Sequence, residues 1–291
     1  MSNVNPFIVV LGIAQDAGFP QAGCKLKCCQ NVWRHPRQTR FVTSLAIVDP
    51  STNQRWLIDA TPDLKHQLHL LDQLTLSIKP RNILDGIFLT HGHIGHYIGL
   101  IHCGKEAMNT RSIPTFVMPK MKTFLNRNEP WKQLITNQNI TLKTLVNNSK
   151  VILSNHLSIT PFLVPHRNEL TETIRFFISG PSKRVVFIPD IDHWKIFPSL
   201  QNIINSTDTA FIDGTFFDQS ELPNRDISKI PHPSISHTLN HLQSLSQKDK
   251  SKVNFIHLNH TNPVLTRNSL AHQRVRDQGF NIAKQNQIIP L

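Results

Sequence analysis

Ten short runs rich in apolar residues recur along the chain, and six of them lead within two residues to an Asp or a His. The runs are Phe7–Gly12, Thr43–Val48, Arg55–Ile58, Ile83–Leu89, Thr115–Met118, Ser158–Val164, Ile174–Ser179, Arg184–Ile188, Thr209–Ile212 and Val253–His257. Each is four to seven residues long and rich in β-branched or aromatic types, which marks strands. Helical stretches are expected between some of them, at Pro62–Leu74, Tyr97–Asn109, His193–Ile204 and Ser236–Ser246. Many strands with fewer helices predict two sheets carrying helices outside, an α/β (α+β) layered fold. The 291 residues suffice for one large domain or two tightly joined ones. Polar, Asn-rich 137–150 reads as a surface connection near the middle.

Strand ends are where layered α/β proteins present functional side chains from a rigid scaffold. Here they carry Asp59, His166, Asp190, Asp213 and His257. The densest signal is Leu89-Thr90-His91-Gly92-His93-Ile94-Gly95-His96, three imidazoles within six residues. Alternate residues of an extended segment point the same way, so His91 and His93 can face one ion. His96 follows one turn later, as a helix begins. A histidine cluster at a strand end is a metal-site signature, although a single histidine is more often structural.

Three of the four cysteines, Cys24, Cys28 and Cys29, crowd into six residues. Adjacent cysteines are poor disulfide partners, and thiolates at this density suit a structural zinc. Cys103 stands alone in an apolar stretch and reads as a small core residue. No apolar stretch is long enough to span a bilayer, and no signal peptide is evident, so a cytoplasmic protein without a membrane partner is expected. The formal charge of +12 favours anionic partners. Lys and Arg are scattered, however, with no run resembling a nucleic-acid arm. A small anionic substrate is therefore the expected partner, nucleic acid is not, and a homodimer stays open.

The order of these motifs resembles the metallo-β-lactamase superfamily, whose pattern is His-x-His-x-Asp-His, a lone His, an Asp and a final His. It maps here onto His91, His93, Gly95, His96, His166, Asp190 and His257, with Asp192 and His260 competing for the last two roles. The resemblance implies a four-layer αββα sandwich over 1–291, with two pseudo-symmetric halves at roughly 1–150 and 151–291. Within the superfamily the chain is similar to the pyrroloquinoline quinone biosynthesis protein B family. The similar segments are Gly18-Phe19-Pro20-Gln21, Thr61-Pro62-Asp63, Asp213-Gly214-Thr215-Phe216, and Ile256-His257 with Asn262-Pro263. That family usually lacks the first two histidines and keeps the Asp-His pair; this sequence does the reverse. The cysteines with His260 resemble the structural zinc site of a cyclic phosphodiesterase branch, which leaves His257 for the active site.

The resemblance implies a first metal on His91, His93, His166 and Asp190. It leaves a second with only His96, Asp190 and His257, because Gly95 replaces the usual carboxylate. Asp190, His96 and His257 are then the expected catalytic groups, with Asp59, Asp213 and His232 supporting them. The expected cofactors are one or two divalent ions (Zn, Mn or Fe) in the active site and one structural Zn on Cys24, Cys28, Cys29 and His260. Three activities remain open. One is hydrolysis of a phosphodiester or other small anionic ester by a metal-bound hydroxide. Another is iron-dependent oxygenation or cofactor maturation, since two histidines and a carboxylate suit ferrous iron. The last is metal binding without catalysis. Asp16, ahead of Gly18, is read as a pocket-mouth or turn residue, and Arg167 as a weak candidate for meeting an anion.

Overall fold

The computed structural model describes residues 5–197, 199–223, 226 and 229–291. Its first sheet holds β1 (Phe7–Gly12), β2 (Ser44–Asp49), β3 (Gln54–Ile58), β4 (Gly86–Phe88), β5 (Ile113–Val117) and β6 (Ile140–Thr144). The second holds β7 (Val151–Ser154), β8 (Leu157–Leu163), β9 (Ile174–Ser179), β10 (Arg184–Ile188), β11 (Thr209–Asp213), β12 (Val253–Ile256) and β13 (Asn281–Ile282). A last strand, β14 (Ile288–Pro290), returns to the first sheet and pairs with β1. Each sheet begins as an antiparallel meander, β1-β2-β3 or β7-β8-β9-β10, and continues with parallel strands. The sheets part between Thr144 and Val151.

Strand periodicity builds the layers. Along β1, Ile8 and Val10 face the core shared by the two sheets, whereas Val9 and Leu11 face the opposite way. On that outer side they join Leu64 and Leu71 of α2 (Leu64–Leu74), whose spacing of seven aligns them on one helical face. The second sheet is covered likewise. Trp194, Leu200, Ile235, Leu239 and Val275 are buried in one apolar cluster with Val185–Ile188 and Phe211. The result is the expected α/β sandwich of two mixed sheets with helices outside.

Several expected elements differ. The helix expected at Tyr97–Asn109 starts earlier, as α3 (Ile94–Tyr97), and tightens into a 3₁₀ segment, Ile98–Cys103. Gly99 causes this: its amide donates to Ala60 O at 2.9 Å, and a Cβ there would lie 2.1 Å from Thr61 O. The His193–Ile204 stretch breaks into a 3₁₀ turn, Trp194–Ile196, and a helix, Leu200–Asn205; Pro198 lies outside the described residues. The supposed connection 137–150 contains β6. As a sheet edge carrying Lys143, this strand shows burial chiefly at Ile140 and gives little apolar signal. Among the described residues, no helix is long and apolar enough to cross a membrane.

Candidate metal centre

The carboxyl ends of strands from both sheets converge on one cavity. Asp59 follows β3, His91 follows β4, His166 follows β8, Asp190 follows β10 and His257 follows β12. Two contacts fasten the sheets together there: Ile174 N donates to Thr90 O at 3.0 Å, and Gly92 N donates to Thr171 Oγ1 at 2.8 Å. Asp59 and His257 both occupy left-handed backbone, at φ +66 and +64. That conformation is uncommon for residues with side chains, and here it turns each one off its strand towards the cavity.

The ligand-type atoms come close together. Those of His91, His93 and His166 lie within 4.8 Å of one another, as do those of His91, His96 and Asp190. The same holds for Asp16, His96 and His257, and for His166, Asp190 and His232. All six histidines and aspartates expected as ligands therefore share one cluster. His232, expected to support the site, reaches the cluster itself. His91 Nε2 stands 2.8 Å from His93 Nδ1, and His257 Nε2 stands 3.2 Å from Asp190 Oδ1.

The neighbouring groups fix which ring nitrogens face the cavity. His96 Nδ1 donates to Asp59 Oδ2 at 2.8 Å, and His166 Nδ1 donates to Asp192 Oδ1 at 3.0 Å. Asp192 thus orients His166, and the competition with Asp190 for the cavity goes to Asp190. His91 Nδ1 meets Thr90 Oγ1 at 2.9 Å, and that hydroxyl donates to Asp59. His257 Nδ1 meets Thr215 Oγ1 at 3.0 Å, which donates to Asp213; His232 Nδ1 donates to Asp213 Oδ2 at 2.7 Å. Each contact turns the opposite nitrogen of His91, His96, His166 and His257 inward, the orientation a metal requires.

Electrostatics divides the histidines. Burial, reinforced by the charges of His96 and Arg175, holds His91 well below its usual range, and burial lowers His93 to about 4. Burial also lowers His166. These rings are neutral and ready to ligate. Burial opposes charge on His96 as well, but the Asp190 and Asp59 carboxylates outweigh it and raise that ring well above its usual range. Asp190 sits far below the carboxylate range, because His257, His96 and Arg175 outweigh its burial.

The donor set fits a cation. Asp16 Oδ1, His96 Nε2, His166 Nε2, Asp190 Oδ2 and His257 Nε2 are all buried without a hydrogen-bond partner. Four of the five face one another as ion pairs at 3.1–3.6 Å, and a cation held among them would satisfy groups that each cost about 1–3 kcal/mol when left unpaired. A second cluster lies nearby. Cys24, Cys28, Cys29 and His260 bring four ligand atoms within 4.8 Å of one another, with His260 Nδ1 3.4 Å from Cys29 Sγ and 3.8 Å from Cys28 Sγ. His257 and His260 thus point to different clusters. Cys103 is buried in the core, as expected.

Arg175 was absent from the sequence reading, and Asp16 was not counted among its ligands. Arg175 is fully buried in β9, its Nε donating to Asp190 O at 2.9 Å and its Nη2 lying 3.3 Å from Asp190 Oδ2. An arginine inside the apolar run Ile174–Ser179 was the available signal, since a buried guanidinium needs an acceptor. Asp16, read as a pocket-mouth or turn residue, reaches the cluster from its rim, with its side chain 34% exposed and Oδ1 beside His96 and His257. Arg167 is exposed and its Nε donates to Glu169 Oε1 at 2.9 Å.

A family model described as the beta-lactamase superfamily domain matches residues 54–258. The chain belongs to that superfamily. Its curated relatives include the coenzyme PQQ synthesis protein B of Xanthomonas campestris pv. campestris, 27% identical over 95% of this chain and 97% of the relative. That of Methylorubrum extorquens is 23% identical over the same shares. Among solved structures, Zn(2+)-bound PqqB from Methylobacterium extorquens superposes with a TM-score of 0.80 at 22% identity, over 98% of this chain and 100% of its own. A diphosphatase from the PhnP family gives 0.68 at 20% identity, covering 99% of both chains. These likenesses establish the metallo-β-lactamase sandwich.

Proposed function

We propose that this member of the superfamily is a metal-dependent hydrolase of a small anionic ester, a phosphodiester being the favoured class. The carrying observation is that His91, His93 and His166 bring three neutral imidazoles within 4.8 Å of one another, and that the ionised Asp190 lies within the same distance of His91 and His96 and of His166 and His232. His96 Nε2 and His257 Nε2 adjoin the same carboxylate, 3.6 Å from Asp190 Oδ2 and 3.2 Å from Asp190 Oδ1. Divalent ions held there supply Lewis acidity towards the ester and acidify water.

The chain's own groups supply the rest. Arg175 anchors the Asp190 backbone and carboxylate from below, Asp59 fixes His96, and Asp192 fixes His166. His232, whose ring lies 5.2 Å from that of His166, is placed to carry a proton between the cavity and a leaving oxygen. A surface cavity of about 360 Å³ bears Lys120 and Arg127, and shares Leu170 with the loop that packs over Gly92. Its charge suits the remote part of an anionic substrate. Zinc on Cys24, Cys28, Cys29 and His260 serves as a structural tie in this reading.

Similarity to coenzyme PQQ synthesis protein B over 95% of the chain supports a second reading, iron-dependent oxygenation or cofactor maturation. One experiment separates them. Protein loaded with zinc or manganese should cleave bis-p-nitrophenyl phosphate or a ribose cyclic phosphate, and His91→Ala should abolish cleavage. Turnover requiring ferrous iron and dioxygen would favour the second reading. Binding of no metal beyond one zinc at the cysteines would exclude both and leave a protein without catalysis.

A further inference from the structure

We infer that Asp16 is a metal ligand, supplying from the loop after β1 the carboxylate that Gly95 lacks. The inference rests on the reading of this cavity as a metal centre and not on the reaction it performs. A Cβ added at Gly95 would lie 2.5 Å from Asp16 Oδ1 and 2.6 Å from Asp16 Cα. A side chain at position 95 and the Asp16 carboxylate therefore compete for the same space. Asp16 Oδ1 stands 3.1 Å from His96 Nε2 and 3.5 Å from His257 Nε2. Asp190 Oδ2 is 3.6 Å from the same His96 nitrogen. None of these four atoms has a hydrogen-bond partner, and His96, His257 and Asp190 are at most 1% exposed.

The loop is held in place by its backbone. Leu258 N donates to Ile13 O at 2.7 Å, Gln15 N donates to Leu258 O at 2.9 Å, and Thr43 N donates to Ala14 O at 2.8 Å. Ala14 thereby bridges Val42 on one side and Leu258 on the other. This pins Asp16 beside His257, the residue before Leu258. Asp16, His96, His257 and Asp190 then form a second position with two carboxylates and two imidazoles, a mixed oxygen and nitrogen donor set suited to zinc or manganese. Moving the carboxylate from the helix start to the N-terminal loop preserves the donor while exchanging its backbone.

The test is metal stoichiometry and affinity, with cobalt(II) absorption as a spectroscopic readout of the donor set. Wild-type protein should take two ions in the cavity besides the one at the cysteines. Asp16→Asn, nearly isosteric, should weaken the second cavity ion by more than the roughly 10–100-fold typical of changes to groups behind a ligand. The first ion and the cysteine-bound zinc should be retained, which also reports that the variant folds. An unchanged second ion in Asp16→Asn, or a wild-type cavity that takes only one, overturns the inference. A cavity that takes none overturns the metal-centre reading itself.

Discussion

Asp59 Oδ2 accepts a hydrogen bond from His96 Nδ1 at 2.8 Å, and the same carboxylate accepts from Thr90 N and Thr90 Oγ1. One fully buried aspartate thus orients His96 directly and His91 through a threonine hydroxyl. Asp59→Ala should leave the Thr90 amide and the His96 ring unpaired, at about 1–3 kcal/mol for each buried group left unsatisfied. Metal affinity in the cavity should fall by roughly 10–100-fold. Urea denaturation and metal titration of the variant measure the two effects, and unchanged metal affinity would refute the orienting role.

Arg175 offers a sharper stability test. Its guanidinium donates to the carbonyl oxygens of Asp190 and Ile174, and every atom of the residue is buried. Arg175→Met keeps most of the volume but leaves the Asp190 carboxylate facing its histidines without a cation behind it. Breaking a buried pair from one side costs about 3–5 kcal/mol. Chemical denaturation of metal-free protein should show that loss. Added zinc should recover part of it, because a bound cation stabilises the folded state and also neutralises Asp190.

The fold was legible because its strands are short, apolar and punctuated, and the bounds of Ile174–Ser179 and Arg184–Ile188 coincide with the apolar runs. The donors at strand ends were legible for the same reason: a rigid strand delivers His91, His166, Asp190 and His257 to one rim. What stayed hidden depends on contacts distant in sequence. Asp16 meets Gly95 across 79 residues, and nothing local to either position reports the meeting. The edge strands β6, β7, β13 and β14 are half-exposed and short, so periodicity barely marks them. Gly99 is helical by neighbourhood but is drawn against Ala60 by a long-range hydrogen bond.

Acid should loosen the junction between the sheets. Asp49, at the end of β2, is buried and accepts from Ser51 N and Ser51 Oγ at 2.9 and 2.6 Å, with His156 of the β7–β8 turn 3.4 Å away. Burial raises its pKa, but the Ser51 hydrogen bonds outweigh it and the net shift is downward. A depressed carboxylate stabilises the fold above its unfolded pKa of about 3.9 and loses that contribution as pH falls through the lower folded value. Asp49→Asn should cost roughly 1–2 kcal/mol at neutral pH and flatten the decline in stability below about pH 4. A variant whose acid decline matches wild type would count against it.

Zinc binding at the cysteine cluster should depend steeply on pH. Burial, with the sulfurs of Cys24 and Cys28 adding to it, pushes the Cys29 thiol up to about 12, and burial also raises Cys28. Both are protonated at neutral pH when no metal is bound. His260 is lowered by burial and stays neutral, so it gives up no proton. Zinc takes thiolates, so binding must release these protons. The apparent affinity should therefore rise with pH, by about tenfold per pH unit for each thiol that gives up its proton. Competition with a chelator at pH 6 and pH 8 reads the slope, and calorimetry in buffers of different ionisation enthalpy counts the protons. Cys29→Ser should lower both the slope and the affinity, whereas a slope near zero in wild type would mean that the thiols are not ligands.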